Sequence, residues 1–401
     1  MLPTVWQGLA QKRTLTSLTV KFPSVRLPRP TVLVPPMPML RSLKITDIDP
    51  LCYPDDISLL LLESKNLDDL TLHWNPRIRR ARESSVSLHA YFGRVVAQKH
   101  TLALRKMTLA NLYATNNGGF DVLVDTKMLQ ELTFINSMGG AGDSGDLAFI
   151  DLSWTMHSHT EIPSPKMMRG DKISRVHCGF VGSSSGLERY YLIGATQSCE
   201  KQSNGHYFRS PSETAIPYPS TPVPSTPSTP IDQTAISLGK EYLDVVCKNH
   251  GSTLRHLLFK PQWRLSSEDL ARLVRCCPNL EQLGIGVEVA GLDTLCLLIP
   301  FLPKLSVLRI LDDPNNAAFA EALKSCDDAP RENEMGRELA KAEYKQLRWL
   351  GLGDLIFQIK GLVMQDEKGQ NGERIAMREI KRSNREDVQH IEIWGMDSLE
   401  I

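Results

Sequence analysis

A short apolar pattern returns along this chain at nearly constant intervals. It consists of a leucine, a second leucine three positions later and a third apolar residue two positions after that. Its two clearest copies begin at Leu280 and Leu305, 25 residues apart, and a proline stands two residues before each. A copy of the same form, with Pro38 two residues before it, begins at Leu40. Looser copies begin at Leu15, Leu67, Leu104, Leu129, Leu187, Leu254, Leu347 and Val388. The pattern is typical of units that cannot bury their apolar side alone and stack on one another.

A helical pattern precedes the copy that begins at Leu280. Its apolar members, at positions i, i+3, i+4 and i+7, are Leu270, Leu273, Val274 and Cys277. Ser266 and Asp269 are spaced as in a capping box, and Pro278 predicts the end of the helix at Cys277. The same spacing before Leu305 is formed by Leu292, Leu295, Cys296 and Ile299. Each clear unit therefore predicts one helix followed by one strand.

The predicted fold class is α/β, a leucine-rich repeat solenoid with a curved parallel sheet inside and helices outside. In this fold Leu283 and Leu308 lie side by side on adjoining parallel strands. An ordinary α/β domain with leucine-rich strands is the alternative. We expect N-terminal repeats over 1–195, an insertion over 196–235, and C-terminal repeats over 236–401 that continue the same solenoid.

The insertion has a composition typical of disorder. Seven prolines lie between positions 211 and 230, and large aliphatic residues are almost absent after Phe208, so the segment cannot bury enough apolar surface to order itself. Two roles remain open, an inert spacer or a target of proline-directed phosphorylation. The serine and threonine residues of this segment that directly precede a proline are Ser210, Thr221, Thr226 and Thr229.

Charge and cysteine content restrict the class of protein. Lys plus Arg and Asp plus Glu are balanced at 46 each, which disfavours nucleic-acid binding. No apolar stretch is long enough to span a bilayer, and the start lacks a signal-peptide pattern, so we expect a cytoplasmic or nuclear protein without membrane contact. The eight cysteines predict reduced thiols. Cys277 fits a buried apolar position, and the alternative, a reactive thiol, has no evident basic partner in the sequence.

Signals for catalysis are weak. The glycine-rich run at 139–145 lacks the Lys-Ser/Thr of a phosphate-binding loop, and His157 and His159 have no further ligand at a suitable spacing. We therefore expect no enzyme, no cofactor and no metal.

The segment LSSEDLARLVRCCPNLEQLGI, which ends at Ile285, resembles the cysteine-containing class of leucine-rich repeat. That class is found largely in F-box proteins, the substrate receptors of cullin-based ubiquitin ligases. The runs LCYPDDISLLLLESKNLDDLTLHW, LERYYLIG and TLRHLLF are similar to fungal F-box and leucine-rich repeat proteins. The F-box itself has no counterpart, because the repeats already begin at Leu15, so the ligase-docking part is either encoded upstream or absent.

The resemblance implies a protein-binding module, the substrate-recognition part of an F-box type ligase. It would bind a protein substrate on the concave face, and a ligase adaptor only if an F-box is present upstream. Two alternatives have no ligase connection. One is a repeat scaffold, and the other is a small-GTPase regulator in which Arg309 would stabilise phosphate charge.

Residues that flank the second leucine of each unit predict the lining of the concave face. Early positions such as Asp69 and Lys106 are polar, whereas later positions are aromatic or basic, the types that dominate interface energies. The candidate protein-binding residues are Tyr191, His256, Lys260, Arg309, Trp349, His390 and Trp394. An alternative role for Trp349 and Trp394 is to cover the end of the solenoid.

Overall fold

The computed structural model describes residues 3–12, 14–22, 35, 37–49, 54–75, 88–111, 120–135, 162–171, 173–193, 233–288, 298–311, 329–366, 374–398 and 401. The fold is mixed α/β and is built on an open, mostly parallel sheet of 14 strands. From the first strand to the twelfth, the strands follow one another across the sheet in chain order. The one exception among the described strands is the two-residue strand Arg264–Leu265, which pairs with the next strand but lies off this path. The predicted parallel sheet is therefore confirmed.

The strands are β1 (Ser17–Lys21), β2 (Ser42–Ile48), β3 (Asp69–Trp74), β4 (Lys106–Ala110), β5 (Glu131–Ile135), β6 (Met167–Gly170), β7 (Arg189–Leu192), β8 (His256–Leu258), β9 (Arg264–Leu265), β10 (Gln282–Val287), β11 (Val307–Ile310), β12 (Trp349–Leu352), β13 (Leu355–Asp366) and β14 (Arg374–Ser383). The short β9 pairs with β10, and β12, β13 and β14 pair antiparallel.

The second apolar residue of each unit occupies the same register on its strand. Leu283 pairs with Leu308, as predicted. The complete row across the sheet is Leu18, Leu43, Leu70, Met107, Leu132, Met168, Tyr190, Leu257, Leu283, Leu308 and Leu350. All of these side chains are buried. Successive copies of the apolar pattern in the sequence thus correspond to neighbouring strands of the sheet.

The helices are α1 (Pro3–Ala10), α2 (Pro54–Glu63), α3 (Leu88–Tyr91), α4 (Gly93–Ala97), α5 (Arg175–Gly182), α6 (Gln233–Val245), α7 (Ser267–Cys276), α8 (Ala329–Glu338) and α9 (Glu392–Gly395). A π-helical turn (Val246–His250) follows α6, and 3-10 turns cover Phe120–Val122, Ile299–Phe301, Ala342–Tyr344 and Glu386–Val388. None of the helices among the described residues combines the length and apolar character that crossing a bilayer requires.

The helices from α1 to α8 bury their apolar side chains against the leucine row, on what we call the back face of the sheet. One core cluster joins α2, α3 and α4 to strands β1 to β5, and a second joins α5 to α8 to strands β6 to β13. The opposite side, called the front face, carries the alternate strand residues such as Thr71, Tyr191 and Arg309.

Helix α7 matches its prediction in detail. The Asp269 amide donates to Ser266 Oγ and the Ser266 amide donates to Asp269 Oδ2, both at 3.2 Å, which completes the capping box. The helix ends at Cys276, because Pro278 disfavours helical backbone at the residue before it. Cys277 is fully buried in the core. The start and the end of this helix are thus both set by residues that the sequence marks.

The strand predicted from Val388, Ile391 and Ile393 is wrong. This stretch forms the 3-10 turn Glu386–Val388 and helix α9 instead. The physical reason is that β13 folds back antiparallel onto β12 and takes the sheet edge on which another parallel strand would pair. Gly353 adopts φ +59° in the turn between them, a conformation that favours glycine.

Strand β6 has no counterpart among the predicted copies. Pro165, Met168 and Gly170 stand where the other units have leucines or similar residues, so the apolar pattern is hidden. Met168 nevertheless pairs with Leu132 on one side and Tyr190 on the other. The position of β6 therefore depends on backbone pairing with both neighbouring strands, which the spacing of its side chains does not indicate.

Several predictions fall on residues outside those described. They concern residues 196–232 of the insertion, the glycine-rich run at 139–145, His157, His159, and the stripe residues Leu292, Leu295 and Cys296. Helix α6 begins at Gln233, so the last three positions of the predicted insertion are helical. Arg189 of β7 pairs with His256 of β8, and the sheet is therefore continuous on either side of the insertion.

Candidate protein-binding surface

The front face is polar from β1 to β4. Its side chains there are half-buried or exposed and comprise Ser17, Thr19, Lys21, Ser42, Lys44, Asp69, Thr71, His73, Lys106 and Thr108. Lys106 Nζ lies 2.8 Å from Glu131 Oε2, and burial raises the pKa of Asp69 and lowers that of His73. This part of the face offers hydrogen-bonding groups of both charges to a partner.

A stretch of the chain lies across the other part of the front face. We call residues 385–398 the crossing segment. The ring of His390 meets Trp349 of β12 edge-on at 6.2 Å, whereas the Ser398 carbonyl accepts a hydrogen bond from Arg169 of β6 at 2.6 Å. The segment therefore runs over the strands that lie between β12 and β6. Beyond it, the Ile401 carbonyl accepts a hydrogen bond from Lys44 of β2.

The carboxylate of Glu392 sits among donors from two strands. It accepts a hydrogen bond from the Tyr191 hydroxyl, and one of its oxygens lies 3.0 Å from His256 Nδ1. Arg189 NH1 lies 3.4 Å away, and its NH2 is 2.7 Å from Glu131. The hydrogen bond from His256 is the main reason why the pKa of Glu392 is lowered to about 2. Glu392 is therefore held as an anion.

Arg309 binds the second half of the crossing segment. Its NH1 lies 2.8 Å from Asp397 Oδ2 and donates to the Ile393 carbonyl at 3.1 Å. Its guanidinium also lies 5.8 Å from the ring centroid of Trp394, within the range of a cation–π contact. A Cβ on Gly351 would stand only 2.9 Å from Trp394 Cζ2, so the absent side chain makes room for the indole.

Main-chain groups of the segment are also bound. Arg169 donates through Nε to the Met396 carbonyl at 2.9 Å, and the Gln282 side chain accepts from the Ile393 amide at 3.1 Å. Burial lowers the pKa of Arg169 to about 10, which leaves it charged at neutral pH. The segment is thus held both by its side chains and by its backbone.

The predicted residues fall into three groups. Tyr191, His256, Arg309 and Trp349 lie on the front face, and all four contact the crossing segment directly. His390 and Trp394 belong to the segment itself, and they cover the face instead of lining it. Lys260 is not part of this cluster, because its ammonium donates to the Asp171 carbonyl at the end of β6.

Exposure is the main difference from the sequence prediction. Tyr191 is 0% exposed and Trp394 is 2% exposed, because each lies beneath or within the crossing segment. The residues that the sequence did not identify are Arg169, Arg189, Gln282, Glu392 and Asp397. The one signal in the sequence was Glu392, a lone acidic residue between two isoleucines in a predicted buried strand.

A group of thiols lies on the back face. Cys247, in the π-helical turn, accepts hydrogen bonds from Cys277 and Cys276, which lower the pKa of the Cys247 thiol to about 7. Arg272 acts in the same direction and is the basic partner that the sequence did not reveal. The thiols whose positions are described, Cys178, Cys247, Cys276 and Cys277, are free. Across the described ranges no three His, Cys, Asp or Glu residues form a group that could hold a metal ion.

Comparisons with protein-family models, with curated proteins and with solved structures found no match. The function is therefore inferred from the chain's own residues and their geometry.

Proposed function

We propose that this chain is a protein-binding leucine-rich repeat solenoid that serves as the substrate-recognition part of an F-box type cullin ubiquitin ligase. It binds a target protein on its concave face and performs no chemistry of its own. The regular strand order and the shared register of Leu70, Leu283 and Leu308 support the repeat assignment. The CPNL turn that follows α7 supports the cysteine-containing class.

One observation supports peptide binding by the front face above all others. The face already holds a segment of protein chain, through the contacts of Arg169, Arg309 and Glu392. Buried arginines, aromatic rings and main-chain hydrogen bonds are the usual means by which a rigid protein surface recognises another. The polar part from β1 to β4 extends this surface beyond the crossing segment.

Capture of partners from cells tests the proposal. The protein would be purified from its own cells at native expression, and the accompanying proteins would be identified by mass spectrometry. Subunits of a cullin ligase are expected together with a target. Thr71→Arg combined with Thr108→Arg places two bulky cations on the half-buried middle of the front face. We expect at least about a tenfold loss of the target and unchanged ligase subunits.

Lys65→Glu provides the matched control, because Lys65 is exposed in the turn after α2, away from the front face. This variant is expected to capture the target like the wild type. The proposal fails if no ligase subunit is captured and if the arginine pair leaves every captured protein unchanged. Ligase-free capture of a target that the arginine pair abolishes would instead support a repeat scaffold.

A further inference from the structure

Three arginines of the front face require acceptors. Arg169, Arg189 and Arg309 lie on β6, β7 and β11 and are mostly buried. Glu131 of β5 already pairs with Arg189. Leaving a buried charge without acceptors is strongly destabilising, so whatever covers this face must supply carboxylates or carbonyl oxygens to Arg169 and Arg309. The crossing segment supplies both, through Glu392 and Asp397 and through its backbone. The face is therefore built for an acidic peptide.

The same face has a place for one aromatic ring. The absence of a side chain at Gly351 lets the indole of Trp394 approach the strand, and Arg309 lies over the ring. The ring is two residues after Glu392 and three residues before Asp397. The spacing of the arginines and of the ring site thus specifies a sequence pattern, an acid, then an aromatic, then a second acid.

The crossing segment is attached in a way that permits exchange. It contributes no strand to the described sheet, and its helix α9 has four residues, too few to be stable without the face beneath it. Because it is part of the same chain, its effective concentration at the face is on the order of millimolar. A partner with the same groups must overcome that local concentration.

We propose that the front face from β6 to β12 is a binding site for a partner segment with a carboxylate, an aromatic side chain two residues later and a second carboxylate three residues after that. The crossing segment occupies this site until such a partner displaces it. The proposal rests on the proposed function only in taking a protein as the partner. It adds the chemistry by which that partner is recognised and a built-in competitor.

A labelled synthetic peptide with the sequence of residues 386–398 tests the site directly. It would be titrated with the full chain and its binding followed by fluorescence anisotropy. The in-chain variant Trp394→Ala removes the buried ring and loosens the segment, so we expect it to bind the peptide at least about tenfold more tightly than the wild type. The control Glu386→Gln changes an exposed residue of the segment and is expected to bind like the wild type.

Recognition is tested with altered peptides against the Trp394→Ala chain. Peptides that carry Glu392→Gln or Trp394→Ala are each expected to lose at least about tenfold in affinity, and adding Arg309→Ala to the chain has the same effect. In case Trp394→Ala does not fold, the in-chain variant Glu392→Gln serves as the loosened form, with an expected gain of about tenfold or more.

Equal affinity for the wild type and a folded, loosened variant would overturn the proposal, as would binding that ignores the acidic and aromatic positions. This titration uses no cellular partner. Its failure therefore leaves the effect of the Thr71→Arg and Thr108→Arg pair on target capture intact, and a failed capture leaves the peptide result intact.

Discussion

Glu392 shows how much can depend on one side chain. Its carboxylate meets Tyr191 and Arg189 from β7 and His256 from β8, and Arg189 in turn is paired with Glu131 of β5. A single acid therefore contacts two strands directly and is linked to a third through Arg189. Hydrogen bonds to a charged group contribute about 1.5–3 kcal/mol, so Glu392→Gln is expected to weaken the attachment of the segment by about that amount.

The low pKa of Glu392 predicts that acid releases the crossing segment. Its folded pKa of about 2 lies below the ordinary value of 4.5. Its stabilising contribution is therefore complete above pH 4.5 and is lost as the pH falls toward 2. We expect the emission of Trp394 to shift to longer wavelength over this interval, measured as the difference from Trp394→Phe. In Glu392→Gln, the interval should show no such shift; an unchanged acid transition there would contradict the assignment.

Cys247 is the second residue with a chemical prediction. With a thiol pKa of about 7 and a half-buried side chain, it should react with iodoacetamide with a midpoint near pH 7. Cys277→Ala removes the strongest of the hydrogen bonds that lower this pKa, so the midpoint should move upward. Mass spectrometry of the peptide that contains Cys247 measures the rate. Cys276, whose thiol pKa is raised by burial, is the internal control and should react only at higher pH.

At the scale of elements, the capping box of α7 has a measurable effect. Ser266→Ala removes the acceptor for the Asp269 amide, and the loss of an N-cap side chain costs about 0.5–2 kcal/mol. The free energy of unfolding, obtained by urea denaturation, should fall by that amount. Ser252→Ala is a matched control, since Ser252 is exposed in the turn before β8. A fall of equal size in both variants would contradict a specific role for the cap.

Elements with a complete local signal could be predicted from the sequence, and those defined by tertiary pairing could not. The strands that follow Leu280 and Leu305 belong to units marked by a proline, two leucines and an isoleucine, and each strand appears where expected. Strand β6 depends on its neighbours, and the β13–β14 hairpin competes for a sheet edge that no local pattern reveals. The candidate site followed the same rule. Tyr191 and Arg309 were found from strand alternation, whereas Glu392 takes its role from residues more than 130 positions away.

At the scale of the whole molecule, the crossing segment changes how the units depend on one another. In a stack of repeats each unit contacts only its neighbours, so distant units unfold with little coupling. The bonds from Arg169 to Met396 and Ser398 join positions separated by 227 and 229 residues. This contact links β6 to the last part of the chain without passing through the strands in between.

Arg169→Met is therefore expected to reduce cooperativity. It leaves two carbonyl groups without their donor, at a cost of about 1–3 kcal/mol. Hydrogen exchange at increasing urea concentrations should show β12 losing protection at lower urea than β6, whereas both lose it together in the wild type. Arg175→Met is the matched control, because the Arg175 pair with Glu241 is on the surface and contributes little. Identical profiles for Arg169→Met and wild type would show that the link is energetically minor.

Strand β14 has a consequence for the behaviour of the protein in concentrated solution. It forms an edge of the described sheet, and Glu379, Lys381 and Arg382 are exposed on it. Two such edges that approached each other would bring lysine and arginine side chains together and would strip water from them. The charged side chains of this edge strand therefore disfavour the growth of fibres by pairing of one copy with the next.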